Sequence, residues 1–446
     1  MPNRHFAEMC VLVLSQAISA PAADQPVAIF HAFDQNFADI ERFVCALADQ
    51  GYSHVQVAPA QKSNPSPEWW ARYQPIDYAA IEGRGSEADL RRLVSRAHGC
   101  GLKVIADVVF NHMADLPEFH TLDFPGIDRT NFHKPPCRIE YSDGNRTTEL
   151  DCWLGTLPDL DQSKSPVQAA HKAHLRKLLA LGIDGFRFDA AKHMSTSALK
   201  RYVDFVNQRS TGRAWNYLEV IEDADTSGSD YNHVAPVTDF VLYGSMKTAF
   251  ESRGDLRSLR VPPAVDDPRS VTFGRTHDNI RELNAQAINP YTNRTDALLA
   301  TTYVLARERG TPLVLNWDNH DSPAIRAGVR FRQIMRQRGA VGAHVQETVL
   351  AVLDSPTLLM MERGNEGFYV VNKAAEKLDV PVLDLTLTSL EGCYRELRHD
   401  INVAVEKRGD KKFVTRWGAW NRGGMEVQGR DALYFIREPW SQCQMR

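Results

Sequence analysis

Short apolar, β-rich runs alternate along the chain with longer segments of helical period. The runs are Val27–Phe33, His54–Pro59, Lys103–Phe110, Gly185–Ala191, Trp215–Glu222, Asp239–Gly244, Ser270–Asp278 and Thr311–Asp318. Their cores are nearly all apolar, the pattern of parallel strands buried on both faces. Helical segments such as Glu87–His98 and Pro166–Leu181 lie between them. Eight such strands alternating with helices predict an α/β fold, a (β/α)8 TIM barrel. The stretch from Met113 to Asp161 is too long for one loop and carries clusters of Pro, Gly, Asn and Asp, so it reads as a small excursion domain after the third strand. Beyond about residue 355 the pattern changes. Thr357–Arg363, Gly367–Lys373, Leu378–Leu385, Gly392–Leu397, Lys412–Trp417 and Asp431–Ile436 read as strands separated by turns, a C-terminal antiparallel β domain. The expected organisation is a leader over 1–23, a barrel over 24–112 and 162–355, an excursion over 113–161, and a C-terminal β-sandwich over 356–446.

The 446 residues hold a barrel of roughly 250 plus a smaller domain. Hydrophobic residues at 43% and charged residues at 24% are ordinary for a globular protein with a large core. A net charge of −4 gives no electrostatic case for nucleic acid or an acidic membrane as partner. No apolar run is long enough to cross a bilayer. At the N-terminus Arg4 and His5 precede the apolar stretch Met9–Leu14 and the small residues Ala17–Ala23. This is the pattern of a signal peptide cleaved after Ala22 or Ala23, and it predicts export. Of seven cysteines, Cys10 lies in that segment. The remaining six, Cys45, Cys100, Cys137, Cys152, Cys393 and Cys443, suit disulfides in an oxidising compartment. Their pairing is open among fifteen connectivities; sequence proximity favours Cys137 with Cys152.

In a barrel of this kind chemistry sits at the C-terminal ends of the strands. Strand three ends Asp107-Val-Val-Phe-Asn111-His112, strand four carries Arg187-Phe-Asp189, strand five Glu219 and strand seven His277-Asp278. Asp189, Glu219 and Asp278 are thus expected to converge over one barrel mouth. Arg187 beside Asp189 would keep a neighbouring carboxylate ionised. An ionised and a protonated carboxyl close together are what retaining glycoside hydrolysis requires.

From about Val27 to Glu438 the sequence resembles the α-amylase family, glycoside hydrolase family 13. Arg187-Phe188-Asp189 is similar to its nucleophile motif, Glu219-Val-Ile to its acid/base motif, and His277-Asp278 to the motif of its third carboxylate. The resemblance implies Asp189 as nucleophile, Glu219 as general acid/base and Asp278 as transition-state stabiliser. Asp318-Asn-His-Asp321 looks like the family's Asn-His-Asp signature, but strand order favours Asp278 and leaves His320 and Asp321 in the loop after strand eight.

Trp69-Trp70-Ala-Arg-Tyr73-Gln74-Pro closely resembles the segment that lines the sugar sites of animal and related bacterial α-amylases. Aromatic faces there would stack on sugar rings. By the same resemblance His112, Arg187 and His277 bind sugar hydroxyls or orient carboxylates, and Lys192 and His193 lie on the leaving-group side. Calcium is the implied cofactor, held by Asn111, Asp159 and the backbone carbonyls of Leu150 and His193, with the His193 ring free for substrate. Thr276 stands where the family usually has asparagine, which is expected to hold His277 less firmly. Leu313 stands where animal enzymes carry an arginine; with Thr276 this predicts chloride independence. The implied protein is a secreted, monomeric, endo-acting α-amylase, extracellular or periplasmic, cutting internal α-1,4 bonds. Starch, glycogen and maltooligosaccharides are its implied partners, and soluble glucans are preferred to raw granules. The alternatives are a glucan transglycosylase or maltooligosaccharide-forming relative, and a non-catalytic carbohydrate-binding barrel.

Overall fold

The computed structural model describes residues 25–133, 137–141, 144, 146–265, 269–339, 347–350, 355–380, 382–383, 388–399, 401–417 and 425–444. The proposed signal peptide lies outside the described residues.

The apolar runs fold as a closed barrel of eight parallel strands: β1 (Ile29–Ala32), β2 (His54–Val57), β3 (Lys103–Val109), β4 (Gly185–Asp189), β5 (Tyr217–Leu218), β6 (Val237–Thr238), β7 (Ser270–Thr272) and β8 (Thr311–Leu315). Neighbours in sequence are neighbours in the barrel, and β8 closes onto β1 through Ile29 opposite Leu313. Ile29, Ile105, Tyr217, Val271, Phe273 and Leu313 fill a layer of buried side chains. The barrel strands are shorter than their apolar runs. The runs continue into the turns at the barrel mouth, as where Asn316–Asp321 is helical.

One strand is misplaced by the sequence pattern. Asp239–Gly244 is not a strand: Phe240–Phe250 is a helix, and β6 is the two residues before it. Asp239 caps that helix, its side chain accepting from the Leu242 N–H at 2.9 Å. The run Phe-Val-Leu-Tyr is apolar because this helix packs its Leu242, Met246, Ala249 and Phe250 into a second core.

The segment after β3 holds short helical turns and isolated bridges, stapled by Cys137–Cys152. It is tied to the barrel where Leu160 N–H donates to the Asn111 carbonyl at 2.8 Å. The other two disulfides are Cys45–Cys100, joining the first two barrel helices, and Cys393–Cys443. The C-terminal region is an antiparallel eight-stranded sheet with a separate two-stranded pair, Leu378–Val380 with Met425–Val427. The sheet takes in Glu347–Leu350, upstream of residue 356, and Asn402–Arg408, a strand the turn pattern does not reveal. It packs through Tyr369 on the barrel helix Arg294–Ala306 and through Tyr434 on the helix Pro323–Gln337, and the Tyr434 hydroxyl also reaches the Thr302 carbonyl at 2.7 Å.

Candidate active site

The strand ends bring three acidic side chains to one guanidinium. Arg187 on β4 is directly opposite Asp107 on β3, and Asp189 is opposite Val109. Arg187 Nη1 donates to Asp107 Oδ2 at 2.5 Å and to Asp189 Oδ1 at 3.0 Å, while Nη2 donates to Glu219 Oε1. All four groups are buried. Asp278, beyond β7, faces the same space.

Local backbone chemistry fixes these positions. Ala190, directly after Asp189, adopts a left-handed conformation with φ 47°. Only glycine, asparagine and aspartate visit that region routinely, so strain is held here. The turn it makes aims its N–H at Glu219 Oε2, 3.0 Å away. Thr276 does not loosen its neighbours. It caps the turn His277–Asn279, accepting from Asp278 N–H at 3.3 Å and donating to Asn279 Oδ1 at 3.1 Å. The His277 ring is wedged between Phe33 and Tyr73, stacked at 4.5 and 5.5 Å.

The electrostatics follow from burial and crowding. Burial, then the neighbouring Glu219 charge, raises the Asp189 carboxyl well above the usual range, although Arg187 opposes it. Burial pushes Asp107 up to about 6 and raises Asp278 as well. Burial works against the Arg187 charge, but Asp107, Glu219 and Asp189 outweigh it and hold the guanidinium protonated. Arg187 therefore does not by itself hold Asp189 ionised, as the sequence suggested: burial and the neighbouring Glu219 charge outweigh it. Burial lowers His112 to about 4, and His193 and His277 to about 3, so these rings are neutral.

A cavity of about 510 Å³ opens over this cluster. It is lined by Asp189, Glu219 and Asp278, and by Trp69, Trp70, Tyr73, Gln74, His112, Lys192, His193 and His277. Arg187 lies beneath, its guanidinium 5.8 Å from the Tyr73 ring centre. Trp70 is 41% exposed, a large aromatic face left open to the cleft. His112 donates from Nε2 to the Tyr73 carbonyl at 2.9 Å. The His193 ring is not wholly free for substrate, because its Nδ1 donates to the Glu149 carbonyl at 3.1 Å. Lys192 pairs with Asp223 at 2.5 Å and lies 4.7 Å over the Tyr141 ring. Asp107, Tyr141, Ile221, Glu222 and Asp223 are site residues that the sequence reading does not single out. Asp107 had a signal, a carboxylate inside an apolar strand. Tyr141 had none.

The residues expected at a metal also meet. Asn111 and Asp159 are buried side by side, and Asn111 Oδ1 and Asp159 Oδ1 have no hydrogen-bond partner among the described residues. Burial pushes the Asp159 carboxyl up to about 7, offset in part by His133, whose Nδ1 lies 2.5 Å from Oδ2. Two orphaned oxygen acceptors in a desolvated place fit a hard cation such as calcium. Among the described residues no three His, Cys, Asp or Glu side chains cluster as a metal site, so the remaining donors would be backbone carbonyls.

An eight-stranded parallel barrel with acidic groups gathered at its C-terminal mouth, beside an open aromatic wall, has the carboxyl pair that glycoside hydrolysis uses. Comparison with known proteins narrows the class. A family model for the α-amylase catalytic domain matches residues 47–124. An α-amylase-related protein of Drosophila auraria is 30% identical over 402 residues, 77% of this chain and 80% of its own. The α-amylase of Aeromonas hydrophila is 28% identical over 415 residues, 81% of this chain and 87% of its own. Among solved structures, α-amylase I of Eisenia fetida, as a variant in complex with maltohexaose, superposes with a TM-score of 0.75 at 22% identity, covering 92% of this chain and 99% of its own. The chain belongs to the α-amylase family.

Proposed function

We propose that this protein is a secreted, calcium-dependent, endo-acting α-amylase that hydrolyses internal α-1,4 bonds of starch-like glucans with retention of configuration. The observation that carries this reading is Arg187 gripping Asp189 and Glu219 through sister nitrogens. That arrangement favours carboxyls close enough for direct attack over the ~6.5–9.5 Å spacing that leaves room for water in inverting enzymes.

In the proposed cycle Asp189 first passes to Glu219 the proton that its buried setting favours, and its carboxylate then attacks the anomeric carbon. Glu219 passes a proton to the leaving glycosidic oxygen, and the shortened glucan departs. Water then enters, Glu219 takes its proton, and the hydroxide breaks the glycosyl ester at Asp189 with the original configuration restored. Asp278 steadies the positive charge that develops on the ring. Trp69, Trp70, Tyr73 and Gln74 hold the donor sugars, and Lys192 and His193 face the acceptor side. His112 and His277 set sugar hydroxyls and carboxylates in place. Asn111 and Asp159, with the carbonyls of Leu150 and His193, would hold calcium. The bound ion would neutralise the buried Asp159 and fasten the excursion to the barrel. The maltohexaose and acarbose in complexes of the α-amylases of Eisenia fetida and Geobacillus thermoleovorans support a maltooligosaccharide ligand here. Three disulfides and the leader-like N-terminus support export, and a monomer needs no further surface for this site.

The test compares wild type and Glu219→Gln on amylose. Wild type should lower viscosity faster than it releases reducing ends, with short maltooligosaccharides as products. The variant should lose at least about 100-fold, the usual scale of a general acid. Equal activity in the two would overturn the assignment, and products longer than the starting chains would identify a transglycosylase.

A further inference from the structure

We infer that the flank of the barrel carries a binding site for phosphate monoester groups borne on a glucan chain, formed by Lys172, Arg176 and Arg209 around the Phe205 ring. The helices Ser165–Ala180 and Thr196–Ser210 hold six lysines and arginines against one acid, Asp204, in a chain whose net charge is −4. Three of the six are already engaged. Lys177 pairs with Glu87 at 3.0 Å, Lys200 with Asp204 at 2.8 Å, and Arg201 donates to the Gln162 carbonyl at 3.2 Å. Lys172, Arg176 and Arg209 have no acidic partner among the described residues. They gather instead about the half-buried Phe205, whose ring centre lies 5.8 Å from Lys172 Nζ, 5.8 Å from the Arg176 guanidinium and 4.5 Å from that of Arg209.

Lys172 and Arg176 stand one turn apart on the same helix, where like charges repel. Attraction to one shared aromatic ring offsets this only in part. A doubly charged anion among the three cations relieves the repulsion, and the two guanidinium forks match phosphate oxygens. Three cations within 5.8 Å of one centre suit a compact, charge-dense group. The large exposed apolar side chains, Trp70, Tyr141, Val261, Trp317 and Trp440, lie outside these two helices, so no apolar wedge accompanies the charges as a bilayer surface would favour. The chain belongs to the α-amylase family, and phosphate esters are charged groups that a polyglucose can carry at its hydroxyls. Arg209 sits in the last turn of its helix, which feeds the start of β5, so the cluster lies toward the end of the barrel opposite the cleft. A long phosphorylated glucan can engage both places, and the second contact raises its effective concentration at the cleft. A short, uncharged maltooligosaccharide gains nothing from it.

The inference rests on the glucan reading proposed above, and a binding measurement separates the two. The retardation of the Glu219→Gln protein is measured at low salt in gels holding phosphorylated amylopectin, or the same polymer after phosphatase treatment. The phosphorylated polymer should bind at least about fivefold more tightly, as three modest exposed ion pairs allow. The gain should vanish at about 0.5 M salt. Adding Lys172→Gln, Arg176→Gln and Arg209→Gln together should make the two polymers equal. The control, Arg42→Gln with Arg91→Gln and Arg92→Gln, removes as much charge from exposed arginines that already have acidic partners, and should keep the gain. With Glu219 restored, the three flank substitutions should leave kcat/KM on maltoheptaose unchanged. Equal binding of the two polymers, or a gain that the flank variant keeps, overturns the inference and leaves the proposed function intact. Retention on phosphatidylglycerol vesicles with no gain for phosphorylated glucan would overturn it in favour of a membrane surface. Failure of the wild type to cleave either polymer, with the flank-dependent gain present, would instead overturn the proposed function.

Discussion

Arg187 is the residue on which the site turns, and its partner Asp107 is the one the sequence does not assign. A carboxylate in an apolar strand announces a partner, but only the register of β3 against β4 says that the partner is Arg187. Asp189, Glu219 and Asp278 were legible because each ends an apolar run at the barrel mouth. Asp107 also bears on pH dependence. Its charge raises the Asp189 carboxyl, after burial and Glu219. Asp107→Asn removes that repulsion, so the acid limb of kcat/KM should move to lower pH, together with a loss of kcat as Arg187 loses a tether. A pH–rate profile checks this, and an upward move would contradict it. The same guanidinium bears on chloride. Three carboxylates already occupy it, and Leu313 is an apolar, buried member of the barrel core. Adding chloride to the dialysed enzyme should change kcat less than about twofold, since no unpaired positive charge is left for an anion; several-fold stimulation would refute this.

At the scale of elements, period and apolarity revealed seven of the eight barrel strands and failed at β6. A two-residue strand followed at once by a capped apolar helix carries no strand signal. Strand packing elsewhere is tight enough to test. Gly185 opens β4, and a Cβ there would lie 1.9 Å from the Trp215 carbonyl oxygen. Gly185→Ala must shift backbone and should cost more than about 2 kcal/mol in chemical denaturation. The helix Ser165–Ala180 docks with His171 and His174 fully buried, His171 stacked on Phe110 at 4.0 Å. Burial lowers His174 from 6.5 to about 4, so the folded state binds fewer protons than the unfolded chain between those values. Stability from this group is complete above pH 6.5 and is lost as pH falls toward 4, by roughly 3 kcal/mol. His174→Gln should flatten that part of the stability–pH curve, as measured by denaturation at several pH values.

For the whole molecule the question is what holds the excursion, barrel and C-terminal sheet as one body around the cleft. The sheet is fastened by side chains whose partners lie 122 and 124 residues away along the chain. Lys373 Nζ reaches the carbonyls of Ala249 and Glu251 at 2.7 and 2.8 Å, for example. Such long-range closures leave no mark in a local sequence pattern, which is why the boundary near residue 356 misses the strand Glu347–Leu350. The excursion is fastened at Asn111 and Asp159, where the proposed ion would sit. Chelation should therefore lower Tm and activity together, by about 4 kcal/mol of stability if calcium is present at a thousand times its Kd. Asn111→Ala should reproduce the loss and be insensitive to added calcium. If chelation leaves Tm unchanged, these two residues do not hold the ion.

The account stands most directly on Asp189 forming a bond to the sugar. A fluorinated maltosyl fluoride slows hydrolysis of the glycosyl ester enough for the labelled protein to be digested and its peptides weighed. The expected result is one added glycosyl mass, on the peptide carrying Asp189 and absent from Asp189→Asn. A label on Asp278 or Asp321, or inactivation of wild type with no covalent adduct, would contradict the proposed chemistry.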